Sequence, residues 1–161
     1  MNMFRVTWIN YGELDNTSSD FCRLVYDVSS HSILYETCNG VRHILRCDFG
    51  SIFDELHSIV SSDEFQNEKP YENGCDGDWY KFEYTIADKS FEYEGYLYGL
   101  KLHEQVTSLV ESCAKSTLDD ERKLLKHECT NNEVQDIIKQ RNELEDDFLD
   151  FWGNINNTVQ V

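Results

Sequence analysis

Residues 79–86 read Trp79-Tyr80-Lys81-Phe82-Glu83-Tyr84-Thr85-Ile86, and their alternation decides the fold. Tyr80, Phe82, Tyr84 and Ile86 fall on one face of an extended chain, with Lys81, Glu83 and Thr85 on the other. Period two is the signature of a strand with one buried face. Ala87-Asp88-Lys89-Ser90 supplies a turn. The alternation then resumes, with Phe91, Tyr93, Gly95 and Leu97 set against Glu92, Glu94, Tyr96 and Tyr98. After Gly99 the period changes: Leu102, Val106, Leu109, Val110 and Cys113 recur at i, i+4, i+7, i+8 and i+11, one face of a helix. Residues 79–113 therefore predict a hairpin whose apolar face lies under an amphipathic helix.

Upstream, the same grammar repeats. Phe4–Tyr11 and Phe21–Val28 read as strands around the polar segment 12–20. The second places Cys22, Leu24, Tyr26 and Val28 opposite Phe21, Arg23, Val25 and Asp27. Ser29–Ser32 is a turn. Ile33–Cys38 and Val41–Cys47 flank Asn39-Gly40, a dipeptide that favours a two-residue type I′ hairpin because both central residues need positive φ. Ser51-Ile52-Phe53-Asp54 has the form of a capping box, opening a helix that frays near Ser61-Ser62. Residues 63–78 predict the longest irregular segment. Consecutive hairpins imply an α+β fold: an antiparallel, or mixed, sheet of about six strands with helices 51–62 and 101–115 on one face.

Thr117-Leu118-Asp119-Asp120 and Thr130-Asn131-Asn132-Glu133 both resemble helix N-caps. The second opens a helix over 131–152 with Val134, Ile137, Ile138, Leu144, Phe148, Phe151 and Trp152 along one side. The organisation expected is an α+β domain over 1–116 with a helical C-terminal segment over 117–161 packed on it as one unit.

Charge is the strongest compositional feature. Against 14 Lys and Arg stand 31 Asp and Glu, a net −17, while 13% aromatic content and a single proline exclude a disordered acidic tail. Such a field repels phosphate backbones and anionic membranes and attracts basic partners. No apolar run approaches the roughly 20 residues of a membrane-spanning helix. The six cysteines form no Cys-x-x-Cys pair, and the N-terminal residues lack an apolar signal region. Free thiols in a cytoplasmic protein are the expectation, and the sequons at Asn16 and Asn156 are then chance matches.

Motifs of catalysis and metal binding are missing from the sequence. Asp76-Gly77-Asp78 hints at a calcium loop, but its twelfth position is Ala87 where a glutamate is required. His57 and His103 sit near apolar helix stripes, the setting of hydrogen-bonded structural histidines. Neither His-Glu-x-x-His, nor a glycine-rich phosphate loop, nor Gly-x-Ser-x-Gly occurs. No cofactor and no metal is expected.

The candidate binding surface is the polar face of the central hairpin. Glu83, Glu92 and Glu94 share it with Trp79, Tyr96 and Tyr98, and large aromatics on an exposed face suit docking. Acids steer and pair with Lys or Arg of a basic protein, and the aromatics supply contact area. If a second layer covers that face, the glutamates lie at its rim. The function expected is a small inhibitor that occludes a basic partner, in the manner of a toxin's immunity protein or a phage-encoded inhibitor of a nucleic-acid-processing enzyme. Two other readings compete: an adaptor or structural subunit binding through the C-terminal helix, and an enzyme assembled from scattered acids and histidines.

Overall fold

The computed structural model describes residues 3–10, 20–50, 52–70, 79–86, 89–126, 132 and 135–139. Six strands form one sheet: β1 (Met3–Ile9), β2 (Phe21–Asp27), β3 (Ser32–Thr37), β4 (Arg42–Arg46), β5 (Trp79–Ile86) and β6 (Lys89–Gly95). Their order is β4-β3-β2-β1-β5-β6, and every neighbouring pair is antiparallel. Helices among the described residues are α1 (Ile52–Val60) and α2 (Asp63–Gln66) before β5 and α3 (Lys101–Leu125) after β6, and residues 132 and 135–139 are helical as well. The fold is α+β.

Register explains which side chains become core. Val6 stands opposite Tyr26 on one side and Phe82 on the other, and Phe82 stands opposite Tyr93. Such cross-strand pairs place aromatic and branched residues within contact across adjacent strands. With Phe4, Leu24, Ile33, Tyr35 and Tyr84 they form the layer on which Leu56 and Val60 of α1 and Val106, Val110, Ala114 and Leu118 of α3 pack. Both helices lie on this face, and α1 also packs on α3. The opposite face is buried at its centre as well: Thr7, Val25 and Leu34 are inaccessible, together with Arg5, Arg23 and Asp27. Only toward the edge strands, β6 and β4, does that face open to solvent.

Four local expectations need correction. First, Phe21 lies on the helix-facing side, against the Tyr35 ring at 5.0 Å, because the β2–β3 register shifts between Phe21 and Arg23. A bulge inserts one extra residue and reverses the side on which preceding residues project. Second, the β3–β4 connection is not a two-residue type I′ turn. Glu36 pairs with Arg42, so Cys38, Asn39 and Gly40 form a three-residue loop closed by Gly40 N–H donating to Thr37 O at 3.0 Å. Gly40 alone takes positive φ, +90°, as in a turn followed by a glycine bulge.

Third, residues 63–66 are helical rather than irregular. Ser62 caps this turn by accepting from Phe65 N–H at 3.2 Å, and Phe65 is buried against the core. Fourth, α3 runs unbroken through Thr117 to Leu125, so Thr117 is not a cap. Its buried stripe continues through Ala114 and Leu118 to Glu121, which accepts from the Tyr35 hydroxyl at 2.5 Å. Of the expected helix over 131–152, residues 132 and 135–139 are described and helical; the remainder, the capping serine Ser51 and the Asp76–Asp78 segment lie outside the described residues.

Candidate functional site

β5 and β6 bring the candidate residues together through their ladder. Lys81 stands opposite Glu94 and Glu83 opposite Glu92, all on the face away from the helices. Trp79 begins β5 and Tyr96 follows the last residue of β6. Their rings meet edge to face, with centroids 5.2 Å apart and planes at 82°. Trp79 Nε1–H donates to Glu94 Oε1 at 3.1 Å. Five of the six expected residues therefore form one patch. Tyr98 does not share it through the strand: β6 ends at Gly95, and Tyr98 sits in the turn closed by Leu100 N–H donating to Leu97 O at 2.8 Å. Gly99 supplies the positive φ, +85°, at that turn's third position. Tyr98 is 54% exposed there.

The carboxylates are not bare. Lys81 Nζ lies 3.4 Å from Glu83 Oε1 and 3.6 Å from Glu92 Oε1, and Arg5 Nη1 lies 3.6 Å from Glu83 Oε2. Arg5 Nε in turn meets the buried Asp27 carboxylate at 3.4 Å. Partial burial would lower the Lys81 ammonium, yet the neighbouring Glu83 and Glu92, with Glu94, outweigh it and raise its pKa above 10.5. The result is a ladder of alternating sign, Asp27–Arg5–Glu83–Lys81–Glu92, that leads from the sheet centre to its edge. Glu83 is mostly covered by this pairing, whereas the Glu92 side chain is 64% exposed and Glu94 is also exposed. The glutamates lie at the rim of a covered face.

Lys81 and Arg5 were not among the expected site residues. Lys81 was legible from the same alternation that placed Glu83. Arg5 was not, because its approach depends on β1 pairing with β5 across 70-odd residues of chain.

A second cluster surrounds His103 in the first turn of α3. Its side chain is 1% exposed and stacks on Phe65 at 4.0 Å, with Phe82 at 5.0 Å and Tyr93 at 5.1 Å. Nδ1–H donates to Glu68 Oε2 at 2.7 Å, and the same carboxylate accepts from the backbone N–H of Leu102 at 2.7 Å and of His103 at 3.2 Å. Leu100, at the N-cap position, makes no side-chain cap, so Glu68 satisfies these orphan donors from a distance of over thirty residues. Burial lowers the His103 pKa below 6.5, and the Glu68 bond only partly offsets it. Partial burial would raise the Glu68 pKa, but the hydrogen bonds from His103, Leu102 and the His103 backbone hold it below 4.5. His103 Nε2 is buried without a partner. This geometry suits a structural clamp tying the segment after α2 to α3.

Among the described residues no group of His, Cys, Asp or Glu is arranged to hold a metal ion, and no helix is long and apolar enough to cross a membrane. The four cysteines among them, Cys22, Cys38, Cys47 and Cys113, are free thiols. Comparison with known proteins finds no matching family model and no curated protein of significant similarity.

Proposed function

We propose that this chain is a small acidic protein that binds and occludes a basic protein partner through the β5–β6 edge of its sheet. The observation carrying this reading is the Trp79–Glu94–Tyr96 cluster beside exposed Glu92. Edge-to-face packing and the indole hydrogen bond hold two large rings in fixed orientation, which lowers the ordering cost of binding. Glu92 and Glu94 project from an edge strand, so a partner can reach them without displacing a covering element. The net charge of −17 steers a cationic protein toward any such surface. Trp79, Glu92, Glu94 and Tyr96 form the contact centre, Tyr98 its margin, and Glu83 with Lys81 the internally paired support. An immunity protein of a toxin or an inhibitor of a nucleic-acid-processing enzyme fits this chemistry, the basic surface of such an enzyme being the natural complement. A tagged pull-down from the source cell at low and high salt tests the reading: a basic protein should be captured at low salt and weakened at high salt. Capture only of acidic or neutral proteins, insensitive to salt, would overturn it.

A further inference from the structure

One side chain, Tyr93, joins the buried histidine of α3 to the aromatic patch at the sheet edge. Its ring centroid lies 5.1 Å from that of His103, and its hydroxyl donates to Tyr96 O at 2.7 Å. Tyr96 meets Trp79 edge to face, and Trp79 donates to Glu94. We propose that His103 is an acid-sensing group whose protonation displaces Tyr93 and loosens the Trp79–Tyr96 pair. The consequence for partner binding rests on the function proposed above; the coupling within the chain does not.

The neutral imidazole fits its surroundings, and the imidazolium does not. Nδ1–H is taken by Glu68, while Nε2 is buried without a partner. In the neutral ring Nε2 carries a lone pair; protonation puts an N–H there, and that hydrogen requires an acceptor. A buried N–H left unmatched is destabilising, the more so on a charged ring. The lowered pKa of His103, caused first by burial, agrees with that cost.

Every element packed on the ring presents an aromatic face to it, with one exception. Phe65 comes from α2, Phe82 from β5, and Phe91 with the Tyr93 phenol from β6. The exception is Glu68, the charged group that reaches the ring among the described residues, and it is bonded at Nδ1. On α3 itself, the neighbouring Lys101 and Glu104 are exposed. The imidazolium therefore has its countercharge at one nitrogen and needs water at the other.

Water enters most readily from the β6 side. Phe65 and Phe82 are fully buried in the core between sheet and helices. Phe91 and Tyr93 are half-buried and belong to the edge strand, which is held by β5 alone among the described strands. Moving Tyr93 outward breaks its bond to Tyr96 O, and Tyr96 then loses its fixed orientation against Trp79. Acid thereby releases a patch that is held rigid at neutral pH.

The test is an NMR titration of the full chain from neutral pH downward, over the range in which circular dichroism shows it folded. It follows the His103 ring, the Tyr96 amide and the Trp79 indole. Because the Glu94 carboxylate titrates beside that indole, the background is Glu94→Gln, whose amide oxygen still accepts from it. The Tyr96 and Trp79 signals should move with the His103 midpoint, below pH 6.5, and the contact between their rings should weaken. His103→Phe keeps an aromatic ring, takes up no proton, and should leave both signals flat. Tyr93→Phe keeps the ring and removes the bond to Tyr96 O, so His103 should still titrate while most of the Tyr96 response is lost. If His103→Phe does not fold, Tyr93→Phe decides alone. A His103 that stays neutral until the chain unfolds, a Tyr96 response with a different midpoint, or one undiminished in Tyr93→Phe would each overturn the proposal. No partner enters this measurement, so its failure is distinct from failure of the pull-down that tests the proposed function.

Discussion

The Trp79 indole donates to the Glu94 carboxylate at 3.1 Å while its ring meets Tyr96 edge to face at 5.2 Å. Two strand ends are thereby tied into one rigid patch, with the acid and both rings fixed before any partner arrives. Tyr96→Ala should therefore raise the dissociation rate of a captured partner severalfold, with little dependence on salt, because apolar contact is lost rather than charge. Surface plasmon resonance at two ionic strengths checks this. An effect confined to the association rate would point to electrostatic steering instead.

Gly95 ends β6 and leads directly into Tyr96. Its φ is +151°, and a Cβ built there would stand 2.8 Å from the Tyr93 hydroxyl, itself donating to Tyr96 O at 2.7 Å. Gly95→Ala should cost about 1–3 kcal/mol through backbone strain and the displaced Tyr93. Chemical denaturation measures the loss, and the Trp79 emission maximum should shift as the ring pair separates. Unchanged stability would mean that the backbone at Gly95 relaxes freely.

Acid should weaken the fold in two stages. His103 has its folded pKa below 6.5, so the unfolded chain binds the extra proton first, and stability present above pH 6.5 declines as pH falls below it. Glu68 has its folded pKa below 4.5, so its contribution is present above that value and is lost as pH falls further. Denaturation midpoints measured from pH 7 downward should show the decline in the wild type, and His103→Phe should flatten the portion that begins below pH 6.5. Glu68→Gln should cost about 1–3 kcal/mol at pH 7, by weakening the bonds to His103 and to the first turn of α3. An identical slope in the His103 variant would assign the acid sensitivity to other groups.

Thiol reactivity should separate the cysteines. Burial pushes the Cys47 thiol up to about 11, the Thr117 hydrogen bond opposing only in part, and its side chain is inaccessible. Ellman titration should count six thiols in the denatured chain, while Cys47 should react in the native protein only as fast as the fold opens. A count of two or fewer in denatured, unreduced protein would signify disulfides.

Much of this fold was legible because alternation and helical period survive folding unchanged. Tyr80, Phe82 and Tyr84 read as one face and are one face, and Val106 and Val110 read as core and are core. The errors come from features that add or remove a single residue. The bulge after Phe21 turns that ring to the helix side, and one extra residue in the 38–40 loop replaces the expected type I′ turn. Thr117 resembled a cap because serine and threonine favour helix starts, yet tertiary burial of Leu118 and Glu121 carries the helix through it. The short helix at 63–66 had a visible signal, Ser62 followed by two acids, but its anchor, burial of Phe65 against Phe82 and His103, is a tertiary contact. The acid–aromatic patch was legible as a shared face. Its internal neutralisation by Arg5 was not, since that requires knowing that β1 lies beside β5.

Reversing the two exposed acids tests the central claim most directly. Glu92→Lys with Glu94→Lys places like charges against a basic partner; it also removes the Trp79–Glu94 bond and the Lys81–Glu92 pair, at a cost to the fold of about 1–2 kcal/mol, while Lys81 retains Glu83. Tagged wild type and double variant should be compared in parallel pull-downs from the source cell at physiological salt, with capture quantified by mass spectrometry and folding verified by circular dichroism. A basic protein enriched by the wild type and lost from the folded double variant is the predicted result. The same protein captured equally by both would contradict the account and move the interface away from the β5–β6 edge.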